Sequence, residues 1–173
     1  MSVPYSSYEA AVVGHAIAMV AGSAAFRTLV GAADATAALG FIIEYDGGDP
    51  AEAGDRQAIA ANGVPFDQAP PFAQVASMQF PTDDEQAFGW IKREGAVLVA
   101  IVIPPTPGHT APERTRNALN VLGTIRDELD AQFGQAGKLA RGRAELELQP
   151  LPDGAGASRG TTSGIITIHW RNC

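Results

Sequence analysis

Residues 110–134 constrain the fold more than any other stretch, because both ends of a long amphipathic helix are signalled there. Thr110 followed by Glu113 fits a capping box, and Pro112 falls in the first turn, where a missing N–H costs nothing. Ala118, Leu122, Ile125, Leu129 and Phe133 recur at spacings of three and four. Arg114, Asn117, Thr124, Asp127, Glu128 and Asp130 fall mostly on the other side. Gly134 and Gly137 supply the C-terminal stop. Strand-like runs flank the segment, at 96–103 before it and at 141–149 and 165–171 after it. A helix with one buried face between strands predicts a helix packed on a sheet.

The remaining segments extend this unit. Residues 8–30 read as a first helix, with Val13, Ile17, Val20 and Ala24 on one stripe, Ser6 or Ser7 as cap, Glu9 in the first turn and Gly31 as stop. Whether 32–39 prolongs it or turns is left open by the sequence. A short strand at 41–45 ends in Asp46, Gly47, Gly48, Asp49 and Pro50, a dense group of turn formers. Residues 51–68 have no sustained period and read as a loop and candidate contact surface. At 72–80 the pattern alternates, with Phe72, Ala76, Met78 and Phe80 against Ala73, Val75 and Ser77, and 87–92 forms a further short run. The run 96–103 is almost wholly Val, Ile, Leu and Ala, which implies burial on both faces and a central place in the sheet. In 141–149, Gly142, Ala144, Leu146 and Leu148 alternate with charged or polar residues, and in 165–171 Ile166, Ile168 and Trp170 alternate with Thr167, His169 and Arg171. Between them, 150–164 is rich in Pro, Gly and small polar residues and reads as the flexible tip of a long β-hairpin. The predicted fold is a single α+β domain over residues 1–173, a mostly antiparallel sheet packed by two helices, with a long flexible β-hairpin.

Composition narrows the function. The 173 residues, 46% hydrophobic and 18% charged, suffice for one domain with its own core. A net charge of −7 with only 12 Lys and Arg argues against a grip on nucleic acid through phosphate neutralisation. Cys173 is the only cysteine, so neither an intrachain disulfide nor a Cys-based metal cluster is expected, which fits a reducing compartment. The apolar stretch 10–25 is interrupted by Gly14, His15 and Gly22 and lacks a basic segment before it, so a secretory signal is not expected. No stretch reaches the about 20 apolar residues of a membrane span, and a soluble chain is predicted.

Motifs for chemistry do not assemble at sequence level. His15, His109 and His169 show neither an i, i+4 pairing nor an HExxH arrangement. Asp46, Asp49, Glu52 and Asp55 lack the spacing of a calcium loop, and Asp83, Asp84 and Glu85 read as a solvated turn. The glycine-rich 154–164 precedes a strand rather than a helix, which speaks against phosphate binding, and Ser77, Ser158 and Ser163 sit in no nucleophile elbow. Neither a catalytic residue, a cofactor nor a metal is expected. Phe88, Trp90 and Trp170 are read as core aromatics, with a subunit interface as the alternative.

Taken together, several features resemble the tail terminator and tail-completion proteins of long-tailed bacteriophages. They are the Ala-rich first helix ending Phe26-Arg27-Thr28-Leu29-Val30-Gly31, the strand opening Pro70-Pro71-Phe72-Ala73-Gln74-Val75, the buried run 96–103, the helix carrying Ile125-Arg126-Asp127-Glu128-Leu129, and the closing strand 165–171. Residues 46–68 are longer than that pattern expects. The resemblance implies a non-enzymatic virion protein that forms a ring, often a hexamer. Such a ring caps the head-proximal end of the tail tube and meets the head connector, after assembly in the host cytoplasm. Its partners would be further copies of itself, the tail tube protein and the connector or neck protein, with no membrane. An acidic ring would let DNA pass through its channel without specific binding. Asp153, Gly154, Arg159, Asp46, Asp49 and Trp90 are the expected subunit-interface residues. The alternatives are a neck or head-completion adaptor, the related part of a phage-like injection system, or a small ligand-binding domain or enzyme whose groups converge only in three dimensions, for instance His109 with Asp127 or His169.

Overall fold

In the computed structural model, the described residues are 8–44, 71–77, 94–103, 108–132, 144–150 and 162–171. Helix α1 spans Tyr8–Gly22, α2 Ala24–Val30 and α3 Ala35–Ala38, followed by a 3-10 turn at Leu39–Phe41. Strands β1 (Ile42–Glu44), β2 (Phe72–Ser77) and β3 (Glu94–Ile103) come next, then α4 (Ala111–Gln132), β4 (Ala144–Pro150) and β5 (Thr162–Arg171). The strands form one five-stranded sheet in the order β1-β2-β3-β5-β4. Only β1 and β2 pair in parallel, and the other three pairs are antiparallel. The fold is therefore α+β with a mostly antiparallel sheet. Because β5 is inserted between β3 and β4, these two run parallel, and α4 is the crossover that joins them.

Alternation decides which face of the sheet is dry. Ala73 and Val75 on β2, Val97, Val99 and Ile101 on β3, and Ile166, Ile168 and Trp170 on β5 are all buried. The register stacks them across strands, Val75 beside Val99 and Val99 beside Ile166, so one continuous apolar surface faces the helices. Helix α1 packs on β2 and β3, α4 on β4 and β5, and α2 against α4. As the sequence requires, β3 is the central strand. Its second face is only partly dry: Val102 is buried beside a buried Phe72, while Ala96, Leu98 and Ala100 are half-buried.

The long helix follows its pattern. Ala118, Leu122, Ile125 and Leu129 are all buried, the last three with no exposed surface. At its start, the Thr110 N–H and hydroxyl both donate to Glu113 Oε2, at 2.8 and 2.7 Å. The carboxylate thus takes both of the Thr110 donors. Phe133 and the glycines after it lie outside the described residues, as do the predicted caps Ser6 and Ser7, the run 87–92 and the hairpin tip 151–161.

The predicted single helix over 8–30 is two helices: α1 packs on the sheet beside α4, while α2 packs against α4. The axes of residues Ala11–Gly22 and Ala24–Val30 diverge by 71° at Ser23. Ser23 adopts extended dihedrals (φ −62°, ψ 124°), and its hydroxyl accepts the Phe26 N–H at 3.0 Å, a serine N-cap that starts a new helix. The bend redirects the buried stripe. Val12, Val13, Ala16, Met19, Val20 and Ala21 are buried, whereas Ile17 is half-buried and Ala24 exposed. Gly31 stops α2 as expected: at φ 71° it closes a Schellman turn, with Ala32 N–H on Arg27 O and Gly31 N–H on Thr28 O. The undecided stretch after it turns into α3, capped by Asp34 Oδ1 accepting the Ala37 N–H at 2.8 Å.

Candidate functional site

Two polar constellations stand out, both built on α4. The first lies along its opening turns. The backbone arrives through Gly108 in the left-handed region (φ 82°) and His109, and α4 then presents Glu113, Arg116, Asn117 and Asn120 at successive three- and four-residue steps. With His109 these line an open depression of about 330 Å³. Asn117 Nδ2 lies 3.2 Å from His109 Nδ1, Arg114 Nη1 donates to the His109 carbonyl at 2.6 Å, and Arg116 Nε donates to the Pro112 carbonyl at 3.4 Å. His109 is thus pinned to the helix by two of its side chains, Asn117 and Arg114.

Glu113 is the ionisable group most affected by this geometry. The Thr110 N–H, then the Thr110 hydroxyl, hold its carboxyl below the ordinary glutamate value, and the charge of His109 adds a smaller pull. Partial desolvation pulls weakly the other way. A depressed folded-state pKa contributes stability that is present above the ordinary glutamate pKa and is lost as the pH falls through the folded value. The expected NMR titration of the Glu113 carboxyl carbon therefore has its midpoint below that of an unstructured glutamate. Thr110→Ala should move it only part of the way back, since the backbone donor survives. A midpoint at or above the unstructured value would contradict the geometry.

The depression presents hydrogen-bonding side chains. Arg116, Asn117 and Asn120 supply donors, and Glu113, the carboxylate among its described lining residues, accepts from Thr110 through Oε2. Among the described residues no cluster of three or more His, Cys, Asp or Glu could hold a metal ion. Nor do the histidines converge. His109 precedes α4 while Asp127 lies about 24 Å further along it, sixteen residues beyond Ala111 at 1.5 Å each. Asp127 itself pairs with Arg126 at 2.6 Å. His169 sits beside Ala96, toward the other end of β3, on the sheet face opposite the buried Ile168 and Trp170. His15 is half-buried within α1.

The second constellation joins the two ends of the helix layer. Glu128 Oε2 accepts the Ser23 hydroxyl at 2.7 Å and the Ala25 N–H at 3.2 Å. Nearby, Gln132 Nε2 donates to the Met19 carbonyl at 3.3 Å. Ser23 is the buried polar residue of the described core, and each role of its hydroxyl is filled, as donor to Glu128 and acceptor from Phe26. Glu128, assigned to the wet face by its helical phase, is half-buried and supplies a negative charge at the N-terminus of α2. Sequence reasoning missed this latch because its partners are more than 100 residues apart.

The expected interface residues Asp46, Asp49, Trp90, Asp153, Gly154 and Arg159 all lie outside the described residues. Three of them fall between Pro150 and Thr162, which pair with each other, Thr162 pairing also with Ile103 at the C-terminal end of β3. Among the described residues, no single helix is long and apolar enough to cross a membrane. No protein-family model matches the chain, and no curated protein matches it.

Proposed function

We propose that this chain is a structural subunit of the head–tail joint of a long-tailed phage, a tail terminator that assembles as a ring on the head-proximal end of the tail tube. The observation that carries the reading is the architecture. Among the described residues α1 and α4 pack on a five-stranded sheet, and β4 and β5 pair as neighbours from Ala144–Ile168 to Pro150–Thr162. In such a unit the segment between β4 and β5 is the one we assign to contacts with neighbours. A net charge of −7 suits a channel through which DNA slides, because phosphates are repelled rather than bound. Ring closure requires heterologous contacts between successive copies, and the hairpin is the segment we assign to them. The tube and the connector are the partners on the two sides of the ring.

The test is the solution mass of the purified protein by light scattering, with negative-stain imaging, alone and with added tail tube. A closed ring, or a monomer that closes into one on the tube, is the expected result. Deleting Gly154 to Gly160 should leave the fold intact and prevent ring formation. A strict monomer indifferent to tube and connector, or a deletion variant that assembles normally, would overturn the reading.

A further inference from the structure

Gly123 stands in the middle of a 22-residue helix, where glycine weakens the structure relative to alanine. A Cβ built there meets nothing within 4 Å, so no close approach among the described residues requires the missing side chain. Its surroundings on the helix surface are unusual too. Arg116, Asn120, Gly123 and Asp127 follow at steps of four, three and four, a stripe opposite the buried Ala118, Leu122, Ile125 and Leu129. Beside them Leu119 is 43% exposed, one of two large apolar side chains exposed among the described residues. The stripe therefore has a cationic end, a smooth centre flanked by an apolar side chain, and an anionic end. Arg116 and Asp127 are eleven residues apart, about 16 Å along the axis.

We infer that this outward face of α4 pairs with the same face of a second copy, the two helices antiparallel about a twofold axis level with Val121 and Leu122. Charge complementarity selects that partner and that direction. In this register Arg116 of each copy meets Asp127 of the other, so both ends are matched at once. Asn120 of each copy falls opposite Gly123 of the other, where the absent side chain admits close approach, and Leu119 covers the turn beside it. Asp127 remains within reach of its own Arg126, an exposed pair that constrains it little. Glu113 falls opposite Asp130 at the rim, where water and salt screen the two carboxylates. A single helix pair is a small interface, so the association is weak and concentration-dependent. An isologous contact closes at two copies. It therefore stands apart from the ring contacts of the proposed function and does not rest on them.

The experiment is sedimentation equilibrium on the full chain over a wide concentration range, with Cys173→Ser throughout to remove thiol cross-linking. The mass should rise reversibly toward two chains. Arg116→Asp and Asp127→Arg should each weaken the association about tenfold, since every dimer contains the pair twice, and the double variant should recover most of it. Gly123→Gln should abolish association while leaving the melting temperature equal or higher, a combination that a purely internal role for Gly123 would not give. Absence of a dimer at the highest concentration would overturn the inference. So would indifference to all three single substitutions, or a double variant no better than the singles. A ring with no sensitivity of the two-chain association to these substitutions would overturn the pairing and leave the ring reading standing, and a dimer that responds to them but forms no ring would do the reverse.

Discussion

Leu129→Asp is expected to leave no folded population. Leu129 has no exposed surface and sits in the cluster formed by α1, α2, α4 and the sheet. Truncating a buried leucine alone costs about 2–5 kcal/mol. Aspartate adds the cost of burying a carboxyl group with no partner, whether it stays charged or takes up a proton. Against a total stability of about 5–15 kcal/mol for a domain, the sum removes most or all of it. Circular dichroism and a urea melt of the purified variant check this. The expected result is loss of cooperative unfolding, with insoluble expression as the usual accompaniment. A soluble variant with a sharp transition near the parent midpoint would mean that Leu129 does not face the core. Leu119→Asp is the matched control, because Leu119 lies on the same helix and is 43% exposed.

The second large effect is expected at Glu128. Replacing it with alanine removes the acceptor of the Ser23 hydroxyl and of the Ala25 N–H, both at the point where α1 ends and α2 begins. Hydrogen bonds to a charged group are worth about 1.5–3 kcal/mol. Because this site is only partly buried and water can reach the Ala25 N–H, the expected loss is near the lower end, about 2 kcal/mol. Glu128→Gln keeps an acceptor for the hydroxyl and should lose roughly half as much, the remainder being the charge at the N-terminus of α2. Ser23→Ala removes the N-cap as well as the latch, and the double variant Ser23→Ala, Glu128→Ala should cost less than the sum of the singles. Additivity within about 0.3 kcal/mol would show that the two side chains act independently and that the latch carries no energy.

Local signals carried much of this architecture. The α4 helix was legible because its apolar period, its Thr110–Glu113 start and its proline at the second position all agree, and each acts within one or two turns of chain. The alternation in β5 was legible for the same reason, and Ile166, Ile168 and Trp170 are buried as their spacing demands. Failure came where the deciding partner is remote. Nothing between Tyr8 and Val30 announces a break, since an Ala-rich run with one Gly-Ser step is compatible with a continuous helix. What turns the chain at Ser23 is the packing of α2 against α4, with Glu128 accepting the hydroxyl. The same remoteness hid the role of Glu128, whose phase on its own helix assigns it to water. The depression beside α4 was half visible: His109, Glu113 and Asn117 are close in sequence, but only the fold shows Asn117 reaching the His109 ring.

The amino-acid sequence by itself thus determined α4 and β5 with their buried faces, the central place of β3 and a net charge of −7, because periodicity, capping and net charge are local or additive properties. Only the tertiary structure decided the strand order β1-β2-β3-β5-β4, the 71° turn between α1 and α2, the Ser23–Glu128 latch and the separation of His109 from Asp127 and His169. Each of these depends on which distant segments share an interior. That choice is made by the burial of whole apolar faces against one another, a quantity that no single segment contains.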